Sequence, residues 1–147
     1  MEIASIMKPE NMTMDLKAKD RLGAVREMID MLYASGAISD KDEILKAVLH
    51  REEEFSTGIG FQVAIPHAKS RFVKKASIAY ARSKNGVQWP TEDGLDPKMI
   101  FLIAVPDTVS NEHLKLLAQI ARKIIHEDVR ERILNAEKPE DVIQAFQ

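Results

Sequence analysis

Two segments near the N-terminus carry apolar residues at helical spacing on one face. The first segment runs from Asp20 to Ala34, and Gly36 follows it as a C-terminal stop. The second begins at a cap formed by Ser39 or Asp40 and ends near Glu53. We therefore expect two consecutive helices in this part of the chain.

Strand patterns occur on both sides of these helices, as alternation or as short apolar runs bounded by turn residues. The segment Met99–Val105 is wholly apolar, which is typical of a strand covered on both faces. We expect a brief return strand at Val87–Trp89 after the turn signal Asn85-Gly86, whereas residues 56–62 have the small, glycine-containing pattern of a loop. The predicted strands are residues 12–16, Val63–Ile65, Ala76–Ala81 and Met99–Val105.

Three helices are predicted after the last strand. The first has a long apolar face and is capped by Ser110 or Asn111. Two shorter helices follow at residues 127–135 and 139–146. This order of elements predicts an α/β fold with a small mixed β-sheet flanked by helices, and we expect residues 1–147 to form a single domain.

The composition excludes several classes of protein. The chain is 45% hydrophobic and 30% charged, a globular balance, and it has no cysteine, so disulfides and thiolate metal sites are excluded. The net charge is -2 and the charges are interleaved, so we expect no nucleic-acid partner. No apolar run approaches the roughly 20 residues of a membrane helix, and no signal peptide is recognisable. We therefore expect a cytoplasmic protein without direct membrane insertion.

Among the four histidines, His67 is the strongest candidate for a residue that takes part in a reaction. It follows Pro66 at the end of a predicted strand, where α/β proteins place their sites. Pro66 restricts the backbone before the imidazole, and the residues of Thr57–Gly60 are small enough for N–H groups to face an anion. Because imidazole is partly neutral near pH 7, we expect His67 to act as a nucleophile or as an acid–base group.

His113 and Arg51 are the candidate partners of His67. His113 lies in the first turn of the helix after Met99–Val105, where the helix dipole favours a neutral ring. If Met99–Val105 is the parallel neighbour of Val63–Ile65, the two histidines converge. Arg51 ends a helix just before the glycine loop, and its guanidinium group suits phosphoryl oxygens.

Other polar residues have simpler interpretations. His50 and His126 lie beside charged residues on helices, so we expect both at the surface, and no histidine pair has the spacing of a zinc site. The acidic run Glu52–Glu54 is expected to form a solvated helix face. The chain contains no P-loop, dinucleotide-binding or nucleophile-elbow motif.

The middle of the chain resembles a known family. It reads Arg51-Glu52, then STGIG at residues 56–60, then VAIPH at residues 63–67. This order and spacing are similar to the signature of the fructose–mannitol type of enzyme IIA domain in the bacterial phosphoenolpyruvate-dependent sugar phosphotransferase system. Later segments are similar too, so the resemblance spans nearly the whole chain. One departure is Gln62, where the family pattern has glycine.

The resemblance implies a phosphotransferase that works through a phosphorylated histidine. In the family, the histidine of the I-P-H motif accepts a phosphoryl group from the carrier protein HPr and passes it to a cysteine of a IIB component. The matching residue is His67, while His113 and Arg51 match the other active-site residues. We expect no metal and no other cofactor, because a phosphoramidate donor is already activated. The loop residues expected to bind phosphate are Thr57, Gly58, Ile59 and Gly60, and the candidate partner contacts are Phe61, Phe72 and Val73.

Three functions are compatible with this resemblance. The first is a carrier for the transport of a fructose-like sugar, which is favoured by Ala68 after His67, because the nitrogen branch more often has glycine there. The second is a nitrogen-type regulatory IIA protein that acts by phosphorylation-dependent binding to target proteins. The third is a degenerate domain kept for binding, in which Gln62 has weakened transfer, although Arg51, His67 and His113 are all retained.

Overall fold

A mixed β-sheet with helices on both faces forms the frame of the protein. The structure, a computed structural model, describes residues 2–108 and 111–147. In these ranges the chain forms six strands and six helices. In chain order the elements are α1 (Ile3–Ile6), β1 (Met7–Thr13), α2 (Arg21–Ala34), α3 (Lys41–Glu54), β2 (Gly58–Gly60), β3 (Val63–Ala64), β4 (His67–Lys69), β5 (Ser77–Arg82), β6 (Met99–Val105), α4 (Glu112–Ile124), α5 (Glu127–Asn135) and α6 (Pro139–Ala145).

The strand β6 lies at the centre of the sheet. The strand order is β1-β5-β6-β3-β2, and β4 also pairs with β6. β6 runs antiparallel to β5 and parallel to β3 and β4, so that Val63 pairs with Met99 and His67 with Ile103. The parallel arrangement considered from the sequence is therefore confirmed, and it places His67 towards the carboxyl end of β6.

Pro66 separates β3 from β4 without releasing the chain from β6. Proline has no N–H to donate to a sheet, which ends the regular pairing of β3. The carbonyl oxygen of Pro66 nevertheless accepts a hydrogen bond from the N–H of Ile103 at 3.0 Å. The chain thus stays beside β6 across the interruption, and His67 resumes the pairing at a fixed position.

Two helical layers cover the two faces of the sheet. Phe101 and Ile103 of β6 point into a core shared with α4, α5 and α6, while Leu102 and Ala104 point into a core shared with α2 and α3. All of β6 is buried, which confirms the expectation of a strand covered on both faces. Burial of each large apolar side chain contributes roughly 1.5–3 kcal/mol, so both layers are firmly attached to this strand.

The predicted helices and the α/β fold class are confirmed. α2 begins after Asp20, whose carboxylate accepts a hydrogen bond from the N–H of Gly23 at 2.8 Å. α3 begins after Asp40, which accepts one from the N–H of Glu43 at 3.1 Å. Gly36 has a φ of 84°, as its role as a helix stop requires. Within the described part of the chain, none of the helices combines the length and apolar character that a membrane crossing needs.

Some predicted boundaries near the ends of the sheet are wrong. The strand expected at residues 12–16 is β1, which starts earlier and has an irregular register between Met7 and Met12. The N-terminal end of β1 cannot be predicted from the sequence, because the polar residues and the proline of the segment KPEN do not alternate with apolar residues. The return strand expected at Val87–Trp89 is reduced to a single bridge between Asp20 and Gln88.

The cap predicted for α4 differs from the observed one. Asn111 occupies the position before the helix with a φ of 59°, and its side chain makes no capping hydrogen bond to the described residues. Ser110, the other predicted cap, lies outside the described residues. The short helix α1 was not predicted, because four residues are too few to establish a helical period.

Within residues 56–62, which were expected to be a loop, Gly58–Gly60 forms the edge strand β2 of the sheet. β2 pairs antiparallel with β3, and the turn between them contains Phe61 and Gln62 with φ values of 58° and 63°. Side chains reach this left-handed region at a cost of about 1–2 kcal/mol each. The carbonyl oxygen of Gln62 accepts hydrogen bonds from the N–H groups of Lys98 and Met99 at 2.9 and 3.1 Å, which hold the turn in place. The position therefore favours glycine, which is the residue in the family pattern.

Replacing Gln62 by glycine is expected to stabilise the protein. The Gln62→Gly variant relieves the left-handed strain and should raise the free energy of unfolding by about 1 kcal/mol, and Tm by roughly 2–4 °C. Thermal and urea unfolding would measure the change. Lys84→Gly is the control, because Lys84 is exposed and has no positive φ. A loss of stability in both variants would contradict the strain argument.

Candidate functional site

His67 occupies the start of β4 and is largely buried, with 7% of its surface exposed. Its Nδ1 lies 3.2 Å from the carbonyl oxygen of Ile65. A carbonyl oxygen can only accept, so Nδ1 must carry the proton and donate it. In the neutral ring this leaves the lone pair on Nε2. The local backbone thereby selects the nitrogen that can act as a nucleophile.

Burial keeps the His67 ring neutral. Desolvation is the main cause that lowers the pKa of His67 below its ordinary value of 6.5, because an imidazolium is poorly hydrated there. The hydrogen bond to Ile65 opposes this shift, whereas the charges of Arg51 and His113 add to it. The net direction is downward, so the nucleophilic form predominates at neutral pH.

His113 lies against His67 on the other side of the site. It stands in the first turn of α4, and the two rings are stacked with centroids 5.8 Å apart and planes inclined by 28°. Burial lowers the pKa of His113, and the charges of Lys69 and Arg51 lower it further. A neutral imidazole has one N–H, which lies in the plane of the ring and can be donated to an oxygen at the edge of the two stacked rings.

Arg51 completes the cluster from the α3 side. It lies in the last turn of α3, and its Nη1 donates a hydrogen bond of 2.7 Å to the carbonyl oxygen of Phe55. This bond holds the guanidinium group at the end of the helix. Its charge lowers the pKa of both His67 and His113, so it lies within electrostatic range of both rings. The structure thus brings together the three residues that the sequence singled out.

The proposed phosphate loop is only partly oriented towards this cluster. Of the residues 57–60, Thr57 lies nearest to His67. Its carbonyl oxygen accepts a hydrogen bond from the N–H of Ile65 at 3.0 Å, and Ile65 is the residue that binds the His67 ring. Both donors of Thr57 are directed elsewhere, to the carboxylate of Glu52. Both donors of Thr57 are therefore engaged by Glu52 in this structure, and a phosphate contact of Thr57 stays a prediction.

The other residues of the loop are placed along β2. The N–H of Gly58 points to the hydroxyl oxygen of Ser56 at 3.1 Å. Gly60 pairs with Val63, four residues before His67, which puts it roughly 13 Å away along the strand. Gly60 is the last residue of β2, next to the hairpin turn, and a phosphate contact of Gly60 stays a prediction. The half-buried Ile59 lies between them.

Glu52 was missed by the sequence analysis. The solvated face expected for Glu52–Glu54 is wrong at its first residue, because Glu52 is 2% exposed. Besides Thr57, its carboxylate accepts the indole N–H of Trp89 at 3.0 Å and lies 3.6 Å from a guanidinium nitrogen of Arg21. A signal for this burial is present in the sequence. Glu52 continues the four-residue spacing of Ile44 and Val48, the buried residues of α3.

Lys69 is a second residue that the sequence analysis missed. Alternation along β4 puts Lys69 on the same face as His67, whereas Ala68 between them is buried in the opposite core. Lys69 is exposed, and its charge acts on His113. The site therefore combines two neutral rings with two permanent cations. This arrangement favours an anionic group at Nε2 of His67 and disfavours protonation.

The other predicted surface positions have mixed outcomes. His50 and His126 are exposed, as expected, and His50 pairs with Glu54 at 3.5 Å. Val73 is 3% exposed and packs in the core, so it is not a partner contact. Phe61 is 47% exposed but lies at the hairpin turn, under the guanidinium group of Arg130. Half-buried Phe72 packs against the core that holds Val73.

Comparison with known families identifies a match over nearly the whole chain. The family described as "Phosphoenolpyruvate-dependent sugar phosphotransferase system, EIIA 2" matches residues 5–147. The "PTS system fructose-specific EIIA component" of Haloferax volcanii is 36% identical over 96% of this chain and 92% of the relative. The "PTS system fructose-specific EIIABC component" of Bacillus subtilis is 32% identical over 97% of this chain, but the match covers only 22% of that longer protein.

A solved structure of the same fold is also similar. The crystal structure of nitrogen regulatory protein IIA-Ntr from Neisseria meningitidis superposes with a TM-score of 0.91 over 99% of both chains, at 26% identity. The order of helices and strands described above is thus found in a known protein.

The lowered pKa of the two clustered histidines predicts how stability depends on pH. The unfolded chain binds protons near pH 6.5, whereas native His67 and His113 resist protonation. The free energy of unfolding should therefore fall as the pH drops below 6.5. NMR titration of the imidazole protons should give midpoints below 6.5 for both rings. In the His67→Gln variant, the free energy of unfolding should fall less as the pH drops. An unchanged fall would contradict the view that protonation of His67 causes it.

Gly58 is expected to tolerate no side chain. A Cβ atom there would lie 2.4 Å from the carbonyl oxygen of Pro90 and 2.7 Å from a methyl group of Thr91. The Gly58→Ala variant should lose about 3 kcal/mol of unfolding free energy. Gly36→Ala is the control, since it meets no atom within 4 Å and suffers only from its φ of 84°, which costs about 1 kcal/mol. Equal losses of unfolding free energy in the two variants, measured by urea unfolding, would contradict the close approach at Gly58.

Proposed function

Because this chain belongs to the EIIA 2 family of the phosphoenolpyruvate-dependent sugar phosphotransferase system, we propose that it is a phosphoryl carrier. It accepts a phosphoryl group from HPr on Nε2 of His67 and passes it to a IIB component. The observation that carries this proposal is the tautomer of His67. Its bond to Ile65 leaves Nε2 unprotonated, His113 stacks on the ring, and the charge of Arg51 acts on it.

The transfer step follows from this geometry. The lone pair on Nε2 of His67 forms a bond to phosphorus, while the N–P bond of the donor histidine breaks and its electron pair returns to the donor ring. The proton on Nδ1 stays in place, so His67 needs no separate base. The phosphorylated ring is itself activated, and the reverse movement of electrons delivers the group to the next acceptor.

Arg51 and His113 stabilise the group in transfer. Phosphoryl transfer has a loose transition state with charge on three equatorial oxygens, and catalysis consists mainly of positioning and electrostatic stabilisation. The guanidinium group of Arg51 and the single N–H of His113 supply donors for those oxygens. Ile59 and Gly58 remain proposed neighbours of the phosphate.

Two exposed apolar side chains are proposed as contacts for protein partners. Phe55 follows Arg51 at the end of α3 and is 77% exposed, and Leu114 follows His113 in α4 and is 52% exposed. They replace Phe61 and Val73 as candidate contacts, because they adjoin residues of the cluster. HPr and the IIB component dock there in turn, through small and transient interfaces.

The biological setting of the proposal is sugar uptake. Residues 1–147 act as one enzyme IIA type 2 domain in the cytoplasm, as a phosphotransferase that serves a permease for a fructose-like sugar. The fructose-specific name of a relative with 36% identity and matching length supports this setting.

A second candidate function is regulation. The IIA-Ntr structure from Neisseria meningitidis shares this fold at 26% identity, so a phosphorylation-dependent contact with a target protein is the alternative. The two functions differ in the fate of the phosphoryl group. A carrier loses it rapidly to a fructose-type IIB domain, whereas a regulator keeps it in the presence of that domain.

A labelling assay tests the proposal directly. The protein is incubated with labelled phosphoenolpyruvate, enzyme I and HPr, and acid-labile phosphate on the chain is measured. A fructose-type IIB domain is then added, and the transfer of label to it is followed. Absence of label on the wild-type protein would overturn the carrier function, and it would favour a domain kept only for binding.

The three clustered residues should differ in their effects on labelling. His67→Ala should abolish it, because the acceptor nitrogen is lost. His113→Ala and Arg51→Ala should retain the acceptor but slow the rate roughly 10- to 100-fold, because each removes a donor to the transferring group. His50→Ala is the matched control, since His50 is exposed on the same helix as Arg51. A normal rate in His113→Ala would remove that residue from the mechanism.

A further inference from the structure

We infer that Glu52 is a positioning residue for phosphoryl transfer, acting through Thr57 and Ile65 on His67 and through the end of α3 on Arg51. This inference rests on the proposed carrier function.

Glu52 is a buried acceptor surrounded by donors. Its carboxylate receives the N–H of Thr57 at 3.2 Å, the hydroxyl group of Thr57 and the indole N–H of Trp89 at 3.0 Å. A guanidinium nitrogen of Arg21 lies 3.6 Å away. A charge removed from water needs such partners, and here they come from α2, from the start of the β2 segment and from the segment around Trp89. The carboxylate therefore ties three separate parts of the chain to α3.

A continuous series of hydrogen bonds leads from Glu52 to the acceptor ring. The residue held by Glu52 is Thr57, whose carbonyl oxygen accepts the N–H of Ile65 at 3.0 Å. The carbonyl oxygen of Ile65 in turn accepts the Nδ1–H of His67 at 3.2 Å. The position of the Ile65 carbonyl group decides which ring nitrogen keeps the proton. Glu52 thus contributes to the tautomer of a ring that it does not touch.

Glu52 also fixes the residue next to it. Arg51 and Glu52 share the last turn of α3, and the Arg51 guanidinium group is bonded to the carbonyl oxygen of Phe55, two residues before Thr57. The segment from Arg51 to Thr57 is therefore fastened at both ends. Movement of Thr57 would shift the Phe55 carbonyl group, and with it the guanidinium group whose charge acts on the two histidines.

A carboxylate is needed at this place because only donors converge on it. In Glu52→Gln an NH2 group would face either the indole N–H of Trp89, which would lose its partner, or the hydroxyl group of Thr57, which would have to turn and accept. Glu52→Gln keeps the size of the side chain but removes the negative charge beside Arg21 and this match of donors to acceptors. Glu53→Gln makes the same chemical change one residue later, on an exposed side chain, and is the matched control.

The experiment compares wild type, Glu52→Gln and Glu53→Gln in two measurements. The first is the labelling rate as a function of the concentration of phosphorylated HPr, which separates the maximal rate from the half-saturating concentration. The second is the ¹⁵N NMR spectrum of the unphosphorylated protein, which reports the fraction of His67 protonated on Nδ1. The fluorescence of Trp89, the only tryptophan in the chain, should differ between wild type and Glu52→Gln. This difference verifies that the substitution alters the surroundings of the indole group bonded to residue 52.

The positioning role predicts a specific combination of results. In Glu52→Gln the maximal labelling rate should fall roughly 10- to 100-fold with little change in half-saturation, because misplacement affects the transfer step and not docking. The Nδ1-protonated fraction of His67 should fall as well, while Glu53→Gln matches wild type in both. A Glu52→Gln variant that is less stable but has the wild-type rate and tautomer would overturn the inference.

Two further outcomes are distinguishable. If wild type is not labelled at all, the carrier function fails, but the NMR comparison still decides whether Glu52 sets the tautomer. If Glu52→Gln does not fold, Thr57→Val removes only the hydroxyl contact to the same carboxylate. It should lower the Nδ1-protonated fraction in the same direction, and an unchanged tautomer in this variant would overturn the inference.

Discussion

The pairing of β6 on both of its edges is the constraint on which the rest of the structure depends. This strand is buried on both faces and pairs with β5 on one side and with β3 and β4 on the other. Since β4 continues the path of β3 along β6, the strand that precedes His67 has one register available to it. The place of the acceptor ring is therefore decided by backbone pairing and apolar burial, before any polar contact is made.

The electrostatics of the site resolve two opposing requirements of the proposed carrier function. A nucleophilic imidazole must stay neutral at physiological pH, and the phosphorylated ring must carry an anionic group. Burial meets the first requirement, and the neighbouring cations meet both, because positive charge repels a proton from His67 and attracts the oxygens of a phosphoryl group. Proton and phosphoryl group compete for the same nitrogen, and the surroundings favour the second.

Much of this arrangement is predictable from the sequence, and the exceptions have physical causes. The helices carry strong periodicity and carboxylate caps, and the burial of β6 follows from its unbroken apolar composition. The glycines of residues 56–62 indicate a loop, but Gly58 serves close packing of β2 against Pro90, which no local pattern reveals. The acidic run around Glu52 predicts a surface residue because Trp89 and Arg21, two of its partners, are distant in sequence, although its four-residue spacing from Val48 indicates burial. Long-range hydrogen bonds, unlike periodicity, are not visible in a single sequence.

The residues of the cluster come from opposite sides of the sheet. Arg51 arrives from the layer formed by α2 and α3, His113 arrives from the layer formed by α4, α5 and α6, and His67 stands between them at the sheet's end. A folding intermediate that has docked only one layer would present the imidazole without its full set of neighbours. The complete cluster of three side chains is in this way reserved for the fully assembled chain.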